Sequence, residues 1–354
     1  MWTDSELDQA LADQPAGPAF SPEARARVLA ALRAADAAPA TTRRTGKAWW
    51  LAAAAAVAVA TGVSATFLTG GPAPQASAAA VQSLEQASTV VGDVHVGSGQ
   101  YYYTASHDWS LGAAQTRTGK HLDAMEENVN EEWIPANRAD DWLRRSGYTG
   151  RHTWIVGSDE LVKAEGDGGL FESTKVSEQR GACGDWGGRQ TPELGGSPDD
   201  GRPCDQRIGN FYEPTPRFIA QMPTDPAQLY DKLLTAAHGD KSTVLKEAAG
   251  VLVSADADHT VRSTVYKALM LVPGLDVTDN AANLDGQRGV ALGVSNGTLR
   301  QEIVIDPGTG RYIGDRLTLV VDGSEYWAGV KAGSVVEFTS VRIGVAEKIG
   351  VAPR

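Results

Sequence analysis

The chain has 354 residues, 42% of them hydrophobic and 21% charged, with a formal net charge of −12. That length accommodates one large or two small cored domains beyond any targeting segment. The first 48 residues hold six basic and six acidic side chains, so the acidic excess lies after them; such a surface excludes nucleic acid and anionic membrane faces as partners of the later part.

The opening stretch, MWTDSELDQALADQPAGPAF, allows a short helix ended by Pro15, Gly17 and Pro18. Ser21 caps a second helix with Pro22 at its first position and Glu23 in its first turn, and its apolar face, Val28, Leu29 and Leu32, is narrow. Two such helices cannot build a core unaided. Residues 1–48 therefore read as a head that stays loosely ordered or folds against a partner.

Residues 49–68, WWLAAAAAVAVATGVSATFL, carry no charge. As a helix they span roughly 30 Å, the thickness of a bilayer's hydrocarbon core. This predicts a single transmembrane helix held in lipid by Trp49, Trp50, Leu51, Val57, Val59, Val63, Phe67 and Leu68. Arg43, Arg44 and Lys47 precede the span, and no further Lys or Arg occurs after it until Arg117. The positive-inside rule then puts residues 1–48 in the cytoplasm and the C-terminal domain outside the cell membrane. Two alternatives are an alanine-rich buried helix and a signal peptide cut near Ala76-Ser77-Ala78; the 48-residue leader argues against the second.

Residues 69–76 form a linker stiffened by Pro72 and Pro74, and residues 77–354 form the extracytoplasmic domain. SAAAVQSLEQAS predicts a helix with Ala80, Leu84 and Ala87 on one side. QYYYTASHDW is β-prone, with Tyr101 and Tyr103 on one face and Tyr102 on the other. HLDAMEENVNEEWIPA, DDWLRRS and HTWIVG continue as short strands of an antiparallel meander. Strand periodicity splits Glu126, Glu127, Glu131 and Glu132 between two faces, which reads as a solvated edge that discourages further pairing.

From about 166 to 210 the chain is rich in Gly, Asp and Pro, as expected of a long surface loop. It contains the two cysteines, Cys183 and Cys204. An even count on the oxidising side predicts one disulfide, closing a loop of about twenty residues and worth roughly 3 kcal/mol. Metal binding would need further His or Cys at short spacing, and none flanks either residue.

Three helices follow Pro223. The first is capped by Thr224 or Asp225 and turns Leu229, Tyr230, Leu233, Leu234 and Ala237 inward; the second starts at Ser242 with Val244, Leu245, Ala248 and Leu252 inward. The third follows Asp258, carries Val261, Val265, Tyr266, Leu269 and Met270, and stops at Pro273-Gly274. The remaining segments, LDVTDNA, RGVALGVS, RQEIVID, RYIGDRLTLVV, EYWAGV and VVEFTSVRIGV, read as strands joined by turns at Asp285-Gly286, Asn296-Gly297 and Asp306 to Gly310. Asn296-Gly297-Thr298 also matches a glycosylation acceptor, but the hairpin turn explains the pair. The fold class is α+β: one transmembrane helix, then a curved antiparallel sheet packed with several helices.

MPTDPAQLYDKLLTAA, VRSTVYKALMLVPGLDV, RGVALGV and QEIVIDPGTGRYIG, in that order and together with EEWIPANRADDWLRRSG, resemble an uncharacterised family of actinobacterial single-span membrane proteins. Members are often encoded beside extracytoplasmic-function sigma factors. The resemblance implies the same topology and a regulatory association, and it carries no catalytic residue, cofactor or metal. The outer domain is also distantly similar to lipoprotein-carrier and sigma-regulator sensor folds.

No two-histidine helical motif, nucleophile elbow, phosphate loop, dinucleotide fingerprint or paired-cysteine zinc motif occurs in the sequence. The expectation is a non-enzymatic protein. In one version the outer domain senses a signal and residues 1–48 engage a cytoplasmic sigma factor, although the head lacks the His-x-x-x-Cys-x-x-Cys motif of many anti-sigma domains. In the other, an anchored carrier holds lipid or hydrophobic peptide between sheet and helices.

Overall fold

The computed structural model describes residues 75–170, 176–186, 202–278, 281–324 and 327–353. The head, the expected span from Trp49 to Leu68, and Arg43, Arg44 and Lys47 lie outside the described residues. Among the described residues no helix is long and apolar enough to cross a membrane.

Helix α1 (Ala78–Val90) begins where Ser77 Oγ accepts the Ala80 amide, and it buries Ala80, Leu84 and Ala87 as its spacing predicts. Strands β1 (Tyr101–Gln115), β2 (His121–Pro135) and β3 (Asp141–Val156) form a meander of long antiparallel strands. A short helix α2 (Asp159–Glu165) leads to β4 (Ser177–Ala182), which pairs with the start of β3. The helical block comprises α3 (Pro216–Ala220), α4 (Pro226–Ala236), α5 (Lys241–Val253) and α6 (His259–Leu269). Asp225, Asp240 and Asp258 cap the last three through their side chains, so each helix starts at a residue that satisfies an orphan amide.

A second meander follows: β5 (Asp276–Val277), β6 (Val290–Ser295), β7 (Leu299–Ile305), β8 (Tyr312–Leu319) and β9 (Val335–Ala346). All pairings are antiparallel, in the order β4-β3-β2-β1-β9-β8-β7-β6-β5. The last strand thus closes on the first, with Tyr101 opposite Ala346 and Ser110 opposite Glu337. The architecture is α+β with a large antiparallel sheet and several helices.

The helices pack on one face of the second meander. Leu84, Leu229, Leu233, Leu245, Val265 and Leu269 meet Leu292, Val294, Ile303 and Ile305 in one buried cluster. The opposite face has its own smaller core, in which Tyr103, Trp133, Leu143 and Ala346 pack under Ile349. Tyr101 and Tyr103 share that face, while the Tyr102 hydroxyl reaches Val253 O at 2.9 Å on the helix side.

The structure corrects several expectations. DDWLRRS and HTWIVG are one strand, with the register shift absorbed around Gly150. The segment around Cys183 contains strand β4, because the edge of β3 offers unpaired backbone groups to it. Within EYWAGV, Trp327–Val330 is a turn closed by Val330 N to Trp327 O at 3.1 Å. Helices α2 and α3, too short to show a periodicity, were not anticipated from sequence.

The glutamates of β2 do split between faces, but β2 is an interior strand. Glu126 and Glu127 are buried; Glu131 accepts from Tyr103 and Arg145, and Glu132 from Arg144. They are sheet-internal partners, not a solvated edge.

Docking of α1 depends on close approach. A Cβ on Gly310, whose φ is +65°, would sit 2.6 Å from Ala87 O. Replacing fully buried Leu84 with Ala should cost about 3 kcal/mol and lower the denaturant midpoint at unchanged slope. A loss below about 1 kcal/mol would show that α1 is not part of the core.

Candidate functional site

Two polar clusters flank the place where β1 meets β9, one on each face of the sheet. Strand alternation puts Asp108 and Ser110 on the helix side and His107 on the other. On the helix side, Asp108 lies opposite Thr339 and Ser110 opposite Glu337. Helix α5 brings Lys246, whose Nζ donates to both Glu337 carboxylate oxygens at 2.7 Å. Strand β8 adds Asp315, whose Oδ2 accepts from Tyr312 Oη at 2.8 Å; its buried Oδ1 has no hydrogen bond.

Three carboxylates therefore face one ammonium. Burial first, and then the Glu337 charge, raise both the Asp315 and the Asp108 carboxyls, the latter to about 6. Burial alone would lower Lys246, but the Glu337 carboxylate outweighs it and raises the ammonium.

On the opposite face, His107 bridges two carboxylates: Nε2 lies 2.9 Å from Glu127 Oε1 and Nδ1 lies 2.7 Å from Asp285 Oδ1. Glu127 also accepts from Thr149 and Arg151, and Ser340 Oγ donates to Asp285 Oδ2. Burial would raise Asp285, but His107 and Ser340 outweigh it and hold the carboxyl below its usual range. The hydroxyl of Ser340 reaches the carboxylate and not the imidazole, so this is not the hydroxyl–imidazole–carboxylate order of an activated nucleophile. The arrangement instead ties the 281–289 turn onto β1 and β2. Among the described residues no group of three or more His, Cys, Asp or Glu side chains is arranged to hold a metal ion.

Of the residues singled out from sequence, Cys183 and Cys204 come together as a disulfide pair, with Cα atoms 5.6 Å apart. Arg207 Nη1 donates to Cys183 O at 2.6 Å and continues that junction. Sequence reading missed Asp108, Lys246, Asp315 and Glu337, which lie on four different elements. Comparison with protein-family models, with curated proteins and with solved structures gave no match in any of the three.

The Asp108 carboxyl fixes a sign for stability. Because its folded pKa lies above the ordinary 3.8, the folded state binds more protons than the unfolded state up to about pH 6. The associated stability is present below 3.8 and lost as pH rises through about 6. Asp108→Asn should therefore raise stability at neutral pH by about 1 kcal/mol after allowance for partial solvent screening, and flatten the pH dependence in that window. Chemical denaturation across pH reads both. A variant that is less stable at neutral pH and keeps the wild-type pH slope would contradict the assignment.

Proposed function

We propose that residues 75–353 are the extracytoplasmic sensory domain of a single-span, non-enzymatic membrane regulator whose cytoplasmic head engages a sigma factor. The observation that carries this reading is the way α1 enters the core. In the sequence α1 follows the expected span and linker directly, and it is not a loose spacer. Ser77 N donates to Leu275 O at 2.8 Å, Gln86 Nε2 donates to Pro307 O at 3.0 Å, and the inner face of α1 packs with α6. A rearrangement of the helix layer thus reaches the residues beside the anchor through packed contacts, which a two-state sensor needs.

The carrier reading asks for an apolar space of several hundred Å³. At the helix–sheet interface Leu229, Leu245, Leu269 and Ile303 occupy that position. A recess at the interface edge encloses about 10 Å³, room for one water. The layering of helices on one face of an antiparallel sheet supports the analogy with sensor and carrier folds alike, and the filled interface favours the sensor.

Affinity capture of the full-length chain from detergent-solubilised membranes should co-purify a sigma factor, and deletion of residues 1–48 should abolish that recovery. Recovery of no sigma factor, or undiminished recovery after the deletion, would sink the proposal.

A further inference from the structure

The recess at the interface edge is unusual in its charge. Its wall includes Val91, Leu252, Tyr266 and Ile343, and with them two guanidinium groups, Arg262 and Arg311. Arg262 lies on α6 and is only 5% exposed, yet no carboxylate pairs with it among the described residues. Its Nε donates to Leu252 O at 3.2 Å and its Nη2 to Ser254 O at 2.9 Å, so it caps the C-terminal end of α5. The Tyr102 hydroxyl, which donates to Val253 O, is a further hydrogen-bond partner of the guanidinium, so its contacts are two carbonyls and a phenol.

Capping explains why Arg262 is present but offsets only part of the cost of a buried charge. Two carbonyls and the end of a helix dipole supply partial negative charge, whereas a buried ion normally requires a full counter-charge. The acidic groups nearby are committed elsewhere. Asp93 accepts from His259 and feels the Arg262 charge without bonding to it, Asp256 pairs with Arg138 at 2.8 Å, Asp258 caps α6, and Asp306 closes its own turn by accepting from Gly308 N and Thr309 Oγ1. Arg311 begins the chain's return from that turn. Its guanidinium makes no hydrogen bond or ion pair among the described residues, although its side chain is half-buried at the mouth of the recess.

We propose that this recess binds a small soluble oxyanion, a carboxylate or phosphate monoester, with one oxygen in the enclosed space against Arg262 and the remainder held by Arg311 at the mouth. The enclosed volume fits a single oxygen-sized group, and the planar fork of a guanidinium matches two oxygens of such an anion. The acidic surface disfavours docking on an anionic bilayer, which leaves a freely diffusing anion as the occupant. The recess is also lined by Val91, Gly92 and Val94, the residues that leave the C-terminal end of α1. An anion bridging Arg262 on α6 and Arg311 after the β7–β8 turn would lock that end of α1 in place. The inference deepens the sensory reading by naming a ligand class. It fails separately from that reading, because anion binding is measured whether or not the head captures a sigma factor.

The test uses the full chain in phosphatidylcholine nanodiscs, titrated with inorganic phosphate and with acetate against chloride at matched ionic strength, followed by thermal unfolding. Phosphate or acetate should raise Tm beyond the chloride control. Arg311→Gln, which removes no side-chain hydrogen bond or ion pair among the described residues, should weaken the anion response about tenfold, read as the Tm rise over each protein's own anion-free Tm. Arg262→Lys, which keeps the charge and loses the fork, should weaken it as well. A parallel preparation with phosphatidic acid in the nanodisc separates the sources. A Tm rise there without free phosphate, and abolished by Arg311→Gln, would assign the site to a lipid headgroup and overturn the soluble-anion proposal. No shift with either free anion, or an equal shift in the wild type and Arg311→Gln, would overturn it outright.

Discussion

The pairing of β1 with β9 is the constraint on which the rest of the domain depends. It joins two meanders separated by the whole helical block, and its ten residue pairs bring Tyr101–Ser110 against Glu337–Ala346. Such a contact between distant parts of the chain carries a large loop-closure cost, so its formation commits both halves to one sheet. The Lys246–Glu337 pair and Asp108 sit on its helix side, and His107 with Asp285 on the other. Ile343 and Tyr102 carry the same seam to the edge of the arginine-lined recess. The polar features with functional potential are thus concentrated where the two meanders meet, and the largest apolar cluster lies to one side, under β6 and β7.

That division of labour gives the domain a physical means of responding. The apolar cluster under α4, α5 and α6 is filled and holds the helices at a fixed distance from the sheet. The polar seam is balanced less completely: three carboxylates share one ammonium, and one buried guanidinium is hydrogen-bonded to carbonyls and a phenol with no carboxylate in contact among the described residues. Incompletely neutralised groups are where a proton or an anion changes the energy most. Helix α1 touches the same region through Val91 and Gly310, so a change there is felt at the C-terminal end of α1.

Much of this was legible in the sequence, for local reasons. Ser77, Asp225 and Asp258 announce helix starts because capping involves residues three apart, and Leu229, Leu233 and Leu245 mark inner faces because burial follows the helical period. The alternation of Tyr101, Tyr102 and Tyr103 told their faces for the same reason. Arg262 could also have been noticed: it falls on the stripe of Val265, Tyr266 and Leu269, a cation at a core position. The glutamates of β2 were not readable. Their partners, His107, Arg144, Arg145 and Arg151, come from neighbouring strands whose register no local pattern specifies. The cluster of Asp108, Lys246, Asp315 and Glu337 spans more than two hundred residues and exists only once β9 has closed on β1.

The central claim is that α1, the seam and the helix layer open and close together, so that α1 cannot detach while the sheet stays folded. Native-state hydrogen exchange on the full chain tests it most directly. The account predicts one shared opening free energy for amides of Leu84 and Ala87 in α1, Tyr102 and Val341 at the seam, and Val265 in α6. A distinctly lower value confined to α1, with the seam still protected, would contradict it.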